Sequence, residues 1–279
     1  MITNFNANKV YLSKGMTNEK YANATEHLLS ALYKYMIEWD FLPHTTSPFH
    51  IWARDYMPVQ VNEKKFVKFN YDPDYLKDDP EYKPDTSVIL SEMALEVFNS
   101  DIIIDGGNVI SCGDKVIMTD KIFRENPHYD RTMLIDNLSQ LLEVELVLIP
   151  EDKYDEYGHA DGMVRYMGGG RVLLNNYCDF DKTLRKKLLA VLSPHFDVTE
   201  LHYDGYTDWS WAYLNFLHVG QHIFVPMLED KFADTAFHQI AEAYPQCECH
   251  PVWDYDNVVR EGGALNCSTW NIMANLPEQ

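Results

Sequence analysis

A thiol, an imidazole and several carboxylates stand in four short segments of this chain. Gly158-His159-Ala160-Asp161-Gly162 sets a histidine two residues before an aspartate, and in a strand-like continuation both would point to one face. An imidazole beside a carboxylate suits acid–base work; a histidine bonded locally in a turn is the plainer reading. Glu261-Gly262-Gly263-Ala264-Leu265-Asn266-Cys267-Ser268-Thr269 carries a cysteine in a glycine-bearing turn. Such a turn can expose a thiol among backbone donors, although most single cysteines are buried and inert. Trp52-Ala53-Arg54-Asp55-Tyr56-Met57-Pro58 and Ile104-Asp105-Gly106-Gly107-Asn108 each end an apolar stretch on a carboxylate. Singly, Arg54 and Asp55 read as a surface pair and Asp105 as a turn residue. Together the four segments hold what attack on a guanidinium carbon requires. Two aspartates can grip that planar, fork-shaped cation while an adjacent thiolate attacks it.

The elements that must position these groups alternate in type. Apolar positions at Tyr21, Leu28, Leu29, Leu32 and Met36 predict a helix over 18–39, with Thr17 or Asn18 as its cap. Further helical patterns cover 86–99, 129–143, 181–193 and 230–243. Strand-like runs fall at 51–52, 66–71, 102–104, 116–119, 145–149, 163–167, 171–175 and 223–226. This interleaving predicts an α/β fold, with some strand pairs joined by turns too short for a parallel crossover. Gly168-Gly169-Gly170 is one such hairpin turn, and Asp72 to Asp85 is a surface loop. The parallel phrases Asp105-Gly106-Gly107 before Cys112 and Glu261-Gly262-Gly263 before Cys267 are compatible with related units.

With 43 acidic against 23 basic residues the formal charge is −20, which excludes an ordinary polyanion binder and would draw a cation inward. A nucleic-acid partner is therefore not expected. Neither is a membrane: no apolar run approaches ~18 residues and no leader pattern opens the sequence. Five scattered cysteines do not form a secreted disulfide framework, so a cytoplasmic protein is expected. A homo-oligomer is compatible with this composition. Cys247-Glu248-Cys249-His250 lacks a second ligand pair, and His218 and His222 sit four apart on what reads as a strand; neither spacing predicts a metal site. Trp209 and Trp211, alternating around Ser210, fit either a core or a pocket rim.

The four segments, in this order and joined by Tyr213-Leu214-Asn215-Phe216 and Val225-Pro226, resemble the agmatine deiminase and peptidylarginine deiminase group of the guanidino-group modifying superfamily. The resemblance runs from about residue 50 to 271. It implies a single-domain, five-module, pseudo-symmetric α/β propeller of pentein type over 1–279, with its active site at the central axis. It matches Cys267 to the nucleophile and His159 to the general acid–base. Asp55 and Asp161 match the carboxylates that grip the guanidinium, and Asp105 matches an acidic position, commonly Glu, that orients the histidine. Trp52 is placed by the substrate's alkyl stem, with Arg54 beside it among the substrate-binding residues. Met57 replaces the usual Gly before Pro, and Gly262-Gly263-Ala264-Leu265-Asn266-Cys267 replaces Gly-Gly-Gly-x-His-Cys, changes expected to alter pocket shape.

The implied activity is cofactor-independent hydrolysis of a small cationic guanidine, agmatine or similar, to a ureido product and ammonia through an amidino group on Cys267. Free or peptidyl arginine as substrate, transfer of the amidino group to an amine, and a non-catalytic guanidine-binding protein are the alternatives. Cys267→Ser should abolish turnover, whereas Cys112→Ser and Cys178→Ser should keep it, as steady-state ammonia release will report. Near-native activity of Cys267→Ser would overturn the covalent route.

Overall fold

Strand β1 (Lys9–Ser13), helix α1 (Ala22–Lys34) and strand β2 (Glu38–Leu42) open the computed structural model, which describes residues 1–274. Helix α1 buries Ala24, Leu28 and Leu32 at helical spacing. It is shorter than the 18–39 pattern because Met36 turns left-handed (φ 56°) and faces solvent. Thr17 and Asn18 belong instead to a preceding 3-10 turn and its end.

From there one unit recurs: an antiparallel hairpin, a helix, and a strand parallel to the hairpin's second strand. The first set is β3 (Val59–Gln60), β4 (Phe66–Asn70), α2 (Thr86–Glu92) and β5 (Phe98–Ile103). The second is β6 (Ile110–Ser111), β7 (Lys115–Thr119), α3 (Arg131–Leu142) and β8 (Glu145–Ile149). Next come β9 (Val164–Gly168), β10 (Arg171–Leu174), α4 (Lys182–Leu192) and β11 (Asp197–Glu200). The last complete set is β12 (Leu217–Val219), β13 (His222–Pro226), α5 (Ala233–Ala243) and β14 (Glu248–Val252).

Strand β15 (Thr269–Ile272) then pairs antiparallel with β1, which pairs parallel with β2, so the fifth sheet is assembled from opposite ends of the described chain. The described residues thus form five three-stranded sheets, which fit the five modules expected of this α/β fold. Local chemistry explains the crossover helices. The Asp130 carboxylate accepts from the Thr132 and Met133 amides at the start of α3, and Asp181 accepts from Thr183 and Leu184 at the start of α4. Buried Leu134, Leu138 and Leu142 in α3, and Leu184, Leu188 and Leu192 in α4, form one stripe per helix.

Two expected elements differ. The 86–99 helix ends at Glu92, because Ala94 adopts a left-handed conformation (φ 50°) and the chain becomes β5. Ile51 and Trp52 are not a strand; they lead into a one-turn helix, Ala53–Tyr56. The Gly168-Gly169-Gly170 hairpin lies between β9 and β10 as expected. Among the described residues no helix is long and apolar enough to cross a membrane.

Candidate active site

Each sheet is preceded by a loop that turns once before its first strand, and the sequence motifs occupy these loops. Ala53–Tyr56 turns ahead of β3, Gly106–Asn108 ahead of β6, Ala160–Gly162 ahead of β9, Ser210–Tyr213 ahead of β12, and the Cys267 turn ahead of β15. Hydrogen bonds connect the loops to one another. The Gly107 amide donates to Asp55 Oδ1 at 2.9 Å, His159 Nε2 meets Asp105 Oδ2 at 2.7 Å, and Asn266 Nδ2 donates to Asp161 Oδ2 at 2.8 Å. The Cys267 and Ala264 amides donate to Asn215 Oδ1, each at 3.2 Å, and the Arg54 amide donates to the Cys267 carbonyl at 3.0 Å.

His159 and Asp161 do meet in one place, but by another route than strand alternation. His159 is extended, and Asp161 follows inside a 3-10 turn. The Cys267 thiol donates to Asp161 Oδ2 across 3.4 Å, and His159 Nδ1 stands 3.8 Å from Asp55 Oδ1. Gly107 forms the floor beneath them. A Cβ at that position would lie 2.7 Å from Asp55 Oδ1, 2.7 Å from His159 Nδ1 and 3.3 Å from Asp161 Oδ2, so only glycine leaves the space between these groups open. Asp105 lies behind His159 rather than in the cleft. Because it engages Nε2, the other ring nitrogen, Nδ1, is the one presented to the site.

Asp105 is itself held by a residue that no motif announced. Lys121, fully buried just after β7, is ion-paired with Asp105 and lies 3.1 Å from Glu125 Oε1. Burial pushes the Asp105 carboxyl up, but Lys121 and His159 more than reverse this, so it stays ionised. Burial and Lys121 push His159 down; Asp55 and Asp105 outweigh them and bring it up to about 9. Burial raises Asp55 to about 7. The Cys267 thiol is driven well above its ordinary value, first by burial and then by Asp161 and Asp55, so it rests as a neutral thiol.

The site opens into a cleft of about 580 Å³ whose walls include Asp155, Tyr206, Asp208, Trp209, Trp211 and Arg260. A narrower lobe of about 100 Å³, bounded by Trp52, Asp55, Tyr75 and Tyr82, shares Tyr157, His159 and Cys267 with it. Trp209 and Trp211 are therefore rim residues, and the 72–85 loop contributes Tyr75 to the site. The rings of Tyr75 and Tyr157 meet edge-on at 5.0 Å, each about 6 Å from the His159 ring. Tyr157 packs so closely on Gly262 (φ 98°) that a Cβ there would lie 2.1 Å from its hydroxyl.

Arg54 corrects an expectation. It is neither a surface residue nor part of the cleft; its guanidinium donates to the Asn266 carbonyl and Asn271 Oδ1. It lines a separate cavity of about 70 Å³ with Asn4 and Arg165, behind the nucleophile turn. Burial and then Arg165 lower its pKa to about 10. The departures from the family pattern mostly spare the pocket as well. Met57 packs with Leu42, Tyr56 and Trp270, and Ala264 and Leu265 are buried in the largest apolar cluster. Only Asn266 touches the reacting groups. Spacing gave no sign of Lys121 or of the Asn266 bond to Asp161, whereas Asn215 stood in a quoted motif without an assigned role.

Five three-stranded sheets with their loops gathered on one centre define an α/β fold that solved structures share. The chain aligns with the agmatine deiminase of Enterococcus faecalis at a TM-score of 0.78 and 15% identity, covering 99% of this chain and 96% of that one. The C. jejuni agmatine deiminase gives a TM-score of 0.73 at 17% identity, with 99% and 96% covered. The N-terminal domain of ArgZ, an arginine dihydrolase from the ornithine–ammonia cycle in cyanobacteria, gives 0.63 at 14% identity, with 95% and 98% covered. No curated protein matches the sequence significantly. The profile of the Porphyromonas-type peptidyl-arginine deiminases matches residues 2–272, and the chain belongs to that family.

Two variants test this geometry. Gly107→Ala should lower kcat/KM by on the order of 10²-fold with a near-native circular dichroism spectrum, because the new methyl group displaces three polar groups at once; unchanged kinetics would show that the floor is not tight. Lys121→Met should destabilise the protein by about 3–5 kcal/mol in urea unfolding, since it leaves Asp105 and Glu125 buried without their cation. A loss below about 1 kcal/mol, within the range of exposed pairs, would show the pair to be dispensable.

Proposed function

We propose that the protein hydrolyses a guanidine to a ureido compound and ammonia, with Cys267 as nucleophile. The observation that carries this reading is the convergence of Asp55, Asp161 and His159 Nδ1 above Gly107, next to a thiol bonded to Asp161. A guanidinium has donors on every edge and a full charge, so it satisfies both carboxylates. Its arrival adds positive charge beside Cys267 and removes the cause that, after burial, raises the thiol: uncompensated Asp161 and Asp55. The substrate thereby favours the thiolate that attacks it.

In the proposed sequence the Cys267 thiol gives its proton to Asp161, to which it is hydrogen-bonded, and its sulfur bonds to the guanidinium carbon. The C–N bond then breaks as His159 Nδ1–H protonates the leaving nitrogen, which departs as ammonia. A water molecule gives one proton to Nδ1 and its hydroxide adds to the amidino carbon; the C–S bond breaks, the ureido product loses its hydroxyl proton to solvent, and the released thiolate takes back its proton from Asp161. Asp105 and Lys121 act through His159, holding its ring and its charge. Three half-buried aromatic rings, Tyr75, Tyr157 and Trp52, restrict water around this chemistry.

The favoured substrate is agmatine or a similar small guanidine bearing a second cation, because Asp155, Glu156 and Asp208 line the cleft. One observation supports a second reading, free or peptidyl arginine. Arg260, stacked 5.5 Å from the Trp209 ring, stands on the same wall and is suited to a carboxylate. The structural relatives, agmatine deiminases, favour the first of these substrate classes, and the family, peptidyl-arginine deiminases, the second.

Ammonia release from agmatine, arginine and N-acetylarginine amide, without added amine, tests the proposal; adduct formation with turnover only when an amine is supplied would instead indicate amidino transfer. The pH dependence follows from two groups. Below about 7 Asp55 takes a proton and loses its hold on the cation, so kcat/KM falls toward acid. Above about 9 His159 loses the proton it donates, so kcat/KM falls toward base. A bell with limbs near these values is expected, and the alkaline limb should vanish in any residual activity of His159→Asn. A flat profile from pH 6 to 10 would remove both assignments.

A further inference from the structure

On the sheet formed by β12, β13 and β14, two motifs that carry no site separately are brought together by strand register. β13 and β14 run parallel with His222 opposite Glu248 and Phe224 opposite His250. Glu248 and His250 are two residues apart on one strand and share a face. The register adds His222 to that face. Cys247 and Cys249 point the other way, against the apolar core, and Cys247 Sγ lies 3.9 Å from His218 Nε2. The Cys-Glu-Cys-His run is thus split between opposite faces of its strand.

The three side chains present converging donors. His222 Nδ1 and His250 Nε2 are 3.0 Å apart, and a Glu248 carboxylate oxygen lies within 4.8 Å of a ring nitrogen of each histidine. Neighbouring ligands held at about 2.0–2.1 Å from a zinc ion must themselves stand roughly 3–3.5 Å apart, so the imidazole pair needs little movement. Glu248 is exposed and free to swing in. Tyr35, at the end of α1, stacks on the His250 ring at 3.6 Å between centroids and fixes its plane. Burial first, and His222 second, push His250 down to about 4, which leaves it neutral and able to bind a metal at physiological pH. Lys34, 4.9 Å over the Tyr35 ring, is the opposing charge and Glu248 offsets it.

We propose that His222, Glu248 and His250 form a binding site for a late first-row divalent cation, zinc being the natural occupant, with water completing the coordination. On binding, the N–H···N contact between the rings gives way to two nitrogen–metal bonds. The ring that donated the shared proton moves it to its outer nitrogen, a change of tautomer, so both rings bind as neutral imidazoles and neither net proton release nor redox change is involved. β14 is an edge strand of its sheet. The ion would tie it to β13 through side chains as well as backbone and set a charge on the open edge.

The test uses the full chain carrying Cys267→Ala, which removes the competing thiol of the active site, without an affinity tag and stripped with chelator. Titration calorimetry with Zn²⁺ should give one site, and Zn²⁺ should raise the melting temperature. His222→Asn and Glu248→Gln, both at solvent-accessible positions, should each weaken that binding by at least about tenfold and lose the thermal shift. Co²⁺ should bind with weak d–d bands and no thiolate charge-transfer band. Equal Zn²⁺ binding by His222→Asn, absence of binding in the parent, or a thiolate band with Co²⁺ would each overturn the proposal.

Discussion

The centre of this protein rests on one buried ionic contact, between Asp105 and Lys121. Asp105 must stay ionised to hold His159 in the tautomer and charge that face the cleft, yet it has no solvent to stabilise it. A lysine with no exposed surface supplies the compensating charge. Such a pair contributes little net stability, because its attraction is largely spent on desolvation. Its role is to fix a charge where one is needed. The same burial raises Asp55 and the Cys267 thiol, so both groups are held in a resting state that a nearby cation would relieve.

Charge balance extends behind the nucleophile turn. Arg54 is half-buried and Arg165 fully buried there, Arg54 bonded to the turn's own carbonyl at Asn266 and Arg165 stacked 4.6 Å from the Phe216 ring. Neither can reach the cleft, but both temper the negative potential created by Asp55 and Asp161. An arginine that the motif placed at the substrate is thus a support for the turn that carries the thiol.

Topology explains why these groups meet at all. Each of the five loops turns once before the first strand of a sheet, so equivalent positions in successive units are aimed at the same centre. The Cys267 loop leads into β15, whose only pairing partner among the described strands is β1. The nucleophile is therefore positioned by contact between segments some 260 residues apart, from Leu12 opposite Thr269 to Lys9 opposite Ile272. Any unfolding that frees β1 also frees the support of the Cys267 thiol.

Much of this was legible in the residues. Asp105, His159 and Asp161 stood out next to glycines and Cys267 four residues after one, whereas Asp55 was marked only by the aromatic run around it; the structure brings all five together. Long helices such as α3, α4 and α5 were legible from leucine or alanine stripes and aspartate caps, which are local properties. Short strands such as β11 and β14 were not, since four or five residues with mixed burial leave no period to detect. Lys121 and Asn266 acquire their roles only across space, and Arg54 lost its expected one because the side chain leaves a one-turn helix toward the back of the site. His222 and Glu248 show the limit most plainly: 26 positions separate them in the sequence, and only the parallel register of β13 and β14 makes them neighbours. Residue type and local spacing determined which reactive groups this protein holds; pairing between distant strands decided which of them touch, because register is set by the whole sheet rather than by any segment of it.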